Sequence, residues 1–189
     1  MCTDCPRRLA DDLEAAFPEF LAHHQDLVYG IALRSTKRPA DADDLAQEAF
    51  VRAYRALRDY HPARIRALRP KGWLAAIVGN LGRNRARRKA PPTADLEAVA
   101  DVRADEAPGP EGLVERRESA AAWRARLDAL PTRYRRAVEL RHVGGLSYPE
   151  LAEALGRPLG TAKSDVHRGV RLLREVYEDE MNDDSHEVA

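Results

Sequence analysis

Leu146-Ser-Tyr-Pro-Glu-Leu-Ala-Glu-Ala-Leu-Gly-Arg-Pro-Leu-Gly-Thr-Ala-Lys-Ser-Asp-Val-His-Arg-Gly-Val170 reads as two short helices across a glycine turn. Ser147 and Glu150 have the spacing of a capping box, and Leu146 can pack on Leu151 as its hydrophobic staple. Leu151, Ala152 and Leu155 supply one buried side, and Gly156 can take the left-handed conformation that ends the first helix. Arg157-Pro158-Leu159-Gly160 is then the turn. Thr161 is the expected N-cap of the second helix, whose apolar stripe is Ala162, Val166, Val170 and Leu173. The pattern is that of a helix-turn-helix, in which the start of the second helix enters the major groove of DNA. Thr161, Lys163, Ser164, Asp165, His167 and Arg168 are therefore the candidates for reaching bases or phosphates, with Arg171 on the same polar face. An ordinary helical hairpin with a solvated basic face would share the pattern, so the rest of the chain has to decide.

The 189 residues suffice for one domain or two small ones, and 33% charged with 44% hydrophobic residues is the composition of a soluble globular protein. No apolar run approaches bilayer length, and Met1-Cys-Thr-Asp-Cys5 lacks the basic-then-apolar order of a secretory signal. A cytoplasmic location is the expectation. The net charge of zero is a cancellation between segments. Residues 1–90 hold 17 Lys/Arg against 11 Asp/Glu, and residues 91–112 hold 1 against 6. Residues 113–174 hold 13 against 7, and residues 175–189 hold none against 7. Two basic modules, an acidic linker and an acidic tail suggest two polyanion-binding surfaces in one chain.

The linker, residues 90–112, is rich in Pro, Ala and acid, has little means of building a core, and is expected to be extended or disordered. On either side, residues 9–89 and 113–178 show apolar residues at three- and four-residue spacing and no sustained alternation, so the fold class is all-α. Residues 1–8 are expected to be disordered, and residues 179–189 to form the acidic tail. In the first module, Phe17, Phe20, Leu21, Leu27, Val28, Ile31 and Ala32 suggest one or two helices ending near Lys37-Arg-Pro39. A new helix follows, capped by Asp41, with Leu45, Ala49, Phe50, Ala53 and Leu57 inward and Asp44, Gln47, Glu48, Arg52 and Arg55 outward. Beyond Tyr60-His-Pro62 no acid occurs until Asp95. Arg64, Arg66, Arg69 and Lys71 precede Trp73-Leu-Ala-Ala-Ile-Val-Gly-Asn-Leu81, and Arg83, Arg85, Arg87, Arg88 and Lys89 follow it. Such a stretch is a phosphate-binding surface with apolar anchoring. Trp73, Leu74, Ile77, Val78 and Leu81 are expected inward, leaving Asn80, Asn84 and the arginines outward, with a ligand contact the lesser alternative for Trp73.

Taken together these residues resemble a bacterial RNA polymerase sigma factor of the small, extracytoplasmic-function group of the sigma-70 family. Asp41-Ala-Asp-Asp-Leu-Ala-Gln-Glu-Ala-Phe-Val-Arg-Ala-Tyr-Arg-Ala-Leu57 is similar to the family's region 2.2, the helix that docks on the polymerase β′ subunit. The resemblance implies that Asp44, Gln47, Glu48 and Arg52 contact core polymerase. Residues 73–88 look like regions 2.3 and 2.4, which bind the −10 promoter element and help open the duplex. Tyr60, Arg64, Arg66, Lys71 and Trp73, with Asn80, Arg83, Asn84, Arg87 and Arg88, would form that surface. Melting needs a cationic groove plus groups that receive an unstacked base, and these residues supply both. Residues 127–141 followed by the helix-turn-helix look like region 4, which reads the −35 element, with Arg141 joining residues 161–171 there. Partners implied are core polymerase through β′ and β, promoter DNA and an anti-sigma protein, with no cofactor and no catalysis.

Three features depart from the family pattern. Asp165 stands where a basic residue is usual, and it could accept a bond from cytosine N4 or pair with Lys163 or Arg168. The stretch 61–72 is unusually basic and lacks aromatics. Cys2 and Cys5 form a Cys-x-x-Cys outside the family's core, too few ligands for a tetrahedral zinc without His23, His24 or a partner. No metal is expected. The acidic end could be a solvated tail, a self-inhibitory mimic of DNA or a partner handle, and the tail is the expectation. A stand-alone helix-turn-helix regulator acting as a dimer would explain 113–174 but leave the Asp44, Gln47 and Glu48 face idle.

Overall fold

Proline punctuates the starts of this fold, because its fixed φ and missing N–H suit the first turn of a helix. The computed structural model describes residues 4–36, 38–89 and 121–186. Helices α1 (Cys5–Asp11), α2 (Leu13–Thr36), α3 (Pro39–Asp59), α4 (Pro62–Arg66) and α5 (Pro70–Lys89) make the first module. Helices α6 (121–128), α7 (Thr132–Val138), α8 (Tyr148–Leu155) and α9 (Leu159–His186) make the second, with a π-helical turn, Glu139–Val143, after α7. Among the described residues there is no strand, and the all-α reading holds.

The inward stripe of α3 is largely alanine. Ala42, Leu45, Ala46, Ala49, Ala53 and Leu57 are buried, and the small side chains let α2 and α5 approach it closely. From α2 come Phe20, Val28, Ile31 and Ala32, and from α5 come Trp73, Leu74, Ala75, Val78 and Leu81. The helix-turn-helix forms as its sequence predicts. Ser147 caps α8, its hydroxyl accepting from Glu150 N–H while the Glu150 carboxylate accepts from Ser147 N–H, and Gly156 closes α8 at φ 62°, ψ 40°. Leu146 and Leu151 are fully buried.

Several expectations are corrected. Helix α3 starts at Pro39 behind Arg38, so Asp41 lies in the first turn and is not the cap. Likewise α9 starts at Leu159, and Thr161 sits inside its first turn. Disorder before residue 9 does not hold for 5–8: α1 begins at Cys5, and Cys5 and Leu9 are buried where α1 meets α4 and α2. Val170 is 38% exposed, because Gly169 takes its place on the buried side of α9. A Cβ there would come 2.5 Å from Val138 Cγ2. At the acidic end α9 continues through His186, and Glu180 pairs with Arg126 at 2.6 Å. The expected linker, residues 90–112, lies outside the described residues, as do 113–120.

The modules are not independent. One hydrophobic cluster runs from Leu74 and Val78 through Leu140, Leu146, Leu151, Ala154 and Val166. Helix α8 lies against α5, and Gly72 makes the approach possible: a Cβ there would stand 2.6 Å from the Glu150 carbonyl oxygen. Further along α5, a Cβ on Gly79 would overlap the Arg136 guanidinium. Small modules bury too little apolar surface alone, and docking on each other adds to it. A smaller cluster of Leu127, Leu130, Val138 and Leu173 ties α6 and α7 to α9.

Candidate nucleic-acid interface

Three surfaces carry the sequence-derived site residues. On the outer face of α3, Asp44, Gln47, Val51, Arg52 and Arg55 are exposed and Glu48 is half-buried. Glu48 is held from two sides, by Arg85 of α5 at 3.2 Å and by Arg52 one turn on at 3.4 Å. Val51, 49% exposed, is an apolar residue among these charges that sequence reading passed over. Its signal was present: it stands three residues from Glu48 and four from Gln47, on one helical face.

The second surface is formed by α4 and α5. Arg64, Arg66, Asn80, Arg83, Asn84, Arg87 and Arg88 are exposed, as expected. The stretch 61–72 is no simple loop, since His61 Nδ1 accepts from Ala63 N–H and caps α4. Arg64 lies over the Tyr60 ring at 3.7 Å, and Asp11 of α1 holds Arg66 at 2.8 Å. Tyr60 is half-buried and 6.2 Å from Trp73. Trp73 itself is 9% exposed, so it belongs to the core and is withdrawn from the DNA-facing set. Lys71 is half-buried at the edge where α8 packs. Partial burial of the guanidinium, then Arg87 nearby, lowers the affinity of Arg83 for its proton. Asn80 accepts a hydrogen bond from the same guanidinium.

On the third surface, α9 presents Lys163, Ser164, His167, Arg168 and Arg171 to solvent, with Thr161 half-buried. Asp165 is not among them. Its side chain is 1% exposed, and its carboxylate accepts from Arg133 Nε at 2.9 Å and from Arg157 Nη1. Burial pushes its carboxyl up, but the bonds from Arg133 and Arg157 outweigh this and hold it below the usual range. Direct base reading by Asp165 and pairing with Lys163 or Arg168 are both overturned. The reason is helical phase: Asp165 lies three residues after Ala162 and four before Gly169, on the buried side. Arg141 is also engaged internally, donating to the Leu146 carbonyl at 2.6 Å and lying over the Tyr148 ring at 4.7 Å. It shapes the entry to α8 and is only half-exposed.

Where the modules meet, charges are desolvated. Burial pushes Glu139 up and pulls Arg34 and Arg136 down, Arg136 to about 10, with Arg34 and Glu139 supporting each other's charge across the boundary. His24 is 8% exposed and edge-on to Phe20 at 4.7 Å, and its Nε2 has no hydrogen-bond partner among the described residues. Burial, then the neighbouring His23 and Lys71, lower it to about 4 against a weaker opposing effect of Glu150. Neutral His24 therefore suits the closed contact. As for metals, the described residues hold no cluster of His, Cys, Asp and Glu, and Cys5 is buried and disulfide-bonded. Its sulfur is not a thiolate ligand in this form. No described helix is long and apolar enough to cross a membrane.

The profile of sigma-70 region 2 matches residues 20–91, and that of sigma-70 region 4 matches residues 120–173. The ECF RNA polymerase sigma factor SigE of Mycolicibacterium smegmatis is 37% identical over 169 residues, which cover 86% of this chain and 63% of that protein. SigW of Bacillus subtilis, another ECF RNA polymerase sigma factor, is 31% identical over 173 residues, covering 87% and 90% respectively. In three dimensions CnrH, solved in complex with the cytosolic domain of CnrY, superposes with a TM-score of 0.66 at 22% identity. That match covers 93% of this chain and 96% of CnrH, and it bears on the fold alone.

Proposed function

Because the chain belongs to the sigma-70 family of RNA polymerase sigma factors, in the ECF group, we propose that it is a promoter-specificity subunit that directs transcription initiation. In this reading the first module docks on core polymerase through Asp44, Gln47, Glu48, Val51 and Arg52. The same module binds and opens the −10 element through Tyr60, Arg64, Arg66, Lys71, Asn80, Arg83, Asn84, Arg87 and Arg88. The second module reads the −35 element through Thr161, Lys163, Ser164, His167, Arg168 and Arg171. The observation that carries the reading is the partition of these faces: a mixed acidic and apolar face on α3, and one separate cationic face on each module. A dimeric operator-binding protein has no use for the first of them.

Physics adds one requirement. Promoter elements centred near −35 and −10 lie about 25 base pairs apart, roughly 85 Å of duplex at 3.4 Å per step. Helix α8 packed on α5 holds the two modules in direct contact. Both elements can be engaged together only after the modules part, and the 31 residues between 89 and 121 could reach about 100 Å fully extended. A protein partner that covers the α3 face would keep the chain from polymerase, the role expected of an anti-sigma protein. The test is direct. Mixed with sigma-free core polymerase, the chain forms a stable complex and supports initiation from a restricted set of promoters, and failure to bind core polymerase removes the reading.

A further inference from the structure

Asp165 departs from the expected pattern in charge and in placement, and its partners point to a role. We propose that Asp165 is a positioning residue that holds Arg133 and Arg157 as a fixed two-arginine phosphate clamp at the edge of the −35-reading surface. The inference rests on the promoter-binding reading above.

Three observations carry it. First, the carboxylate is divided between the arginines: Oδ1 accepts from Arg133 Nε at 2.9 Å, with Arg133 Nη2 2.7 Å away in the ion pair, and Oδ2 accepts from Arg157 Nη1. Second, the acid is buried while both arginine side chains remain open, Arg133 47% and Arg157 35% exposed, so the triad shows solvent a net positive charge. Nη1 of Arg133, and Nε and Nη2 of Arg157, keep donors with no partner among the described residues. Third, Arg157 sets one end of the pair beside the start of α9, where the solvent-facing cationic side chains begin. Arg157 lies in the turn just before α9, and Arg133 in the first turn of α7. A free arginine loses side-chain entropy when it grips a phosphate. Here one buried carboxylate already tethers both guanidinium groups, so less is lost on binding.

Simple charge counting and the clamp predict opposite signs for one variant. Asp165→Asn removes a negative charge from a DNA-binding module, so charge alone predicts tighter binding, whereas the clamp predicts about tenfold weaker binding. The measurement uses holoenzyme reconstituted with core polymerase and a duplex selected by the wild-type holoenzyme from a random pool, with affinity followed against KCl. Arg133→Gln and Arg157→Gln should each lower the slope of log affinity on log salt by about 0.9. Equal or tighter binding by Asp165→Asn overturns the proposal. Should that variant lose its fold by circular dichroism, the two arginine variants decide, and unchanged slopes in both overturn it. Wild-type holoenzyme that assembles but selects no duplex would overturn the promoter reading as well, a result distinct from loss confined to the variants.

Discussion

Gly72 of α5 faces the backbone of Glu150 on α8 so closely that a Cβ would stand 2.6 Å from its carbonyl oxygen and 2.8 Å from its Cα. Backbone on a capped helix cannot give way as a flexible side chain can. Gly72→Ala should therefore part the modules, while the first turn of α5 itself accepts alanine without loss. A donor and acceptor dye pair on α2 and α9 should report a longer mean separation with helix content undiminished. An unchanged separation would mean that this approach does not hold the modules together.

Charge reversal on α3 separates binding from folding. Asp44 is exposed, so Asp44→Lys should weaken core polymerase association by about tenfold or more and leave the melting temperature within a degree or two. Glu48→Lys breaks the pairs with Arg85 and Arg52 as well, and each such partly exposed pair is worth about 0.2–1 kcal/mol. It should lower both association and melting temperature. Equal thermal losses in the two variants would mean that Asp44 supports the fold instead of contacting polymerase.

Acid should destabilise the fold through His24. His24 titrates near 4 when folded and near 6.5 when unfolded, so between these values the unfolded chain binds more protons. Stability is then complete above about pH 6.5 and is lost as pH falls toward 4. Urea midpoints at pH 7, 5.5 and 4.5 should fall in that order, and His24→Leu should flatten the profile between the first two. A wild-type profile already flat from 7 to 5.5 would assign the acid sensitivity elsewhere.

The helix-turn-helix depends on its cap. Ser147→Ala removes the acceptor for Glu150 N–H and should cost about 1 kcal/mol, read as a lower melting temperature. Ser147→Thr keeps a hydroxyl that accepts from Glu150 N–H and donates to the Glu150 carboxylate, and should recover most of that loss. No recovery would mean that the stability lost in Ser147→Ala does not come from the cap.

Lys163 and Arg168 sit on the exposed face of α9, the Lys163 ammonium 5.7 Å from the Tyr148 ring of α8. Replacing either with Gln should reduce −35 duplex affinity and flatten its salt dependence, with polymerase association untouched. Loss of both activities would show that these side chains serve the fold.

Much of this was legible in the sequence because it is local. The Ser147 and Glu150 cap, the left-handed Gly156, the proline starts and the amphipathic stripe of α3 each depend on residues within a few positions of one another. Segmental charge also located both cationic faces, since arginines at such density stay near solvent wherever the helix turns. Helix starts were misplaced by three residues at Asp41 and Thr161, where a good capping residue stood just inside the first turn.

By itself, then, the sequence determined an all-α protein with two basic modules, a capped helix-turn-helix and a separate mixed face on α3. The tertiary structure decided which inward charges find partners and how the modules meet. Helical phase turns Asp165 inward, and it is tolerated there because Arg133, 32 residues away, and Arg157 arrive to neutralise it. Gly72 matters because α8 lies against it. A charge is tolerated in the interior only when distant chain brings its partner, and a glycine permits close approach only when something approaches. Both conditions are set by contacts far apart in sequence, which no local pattern records.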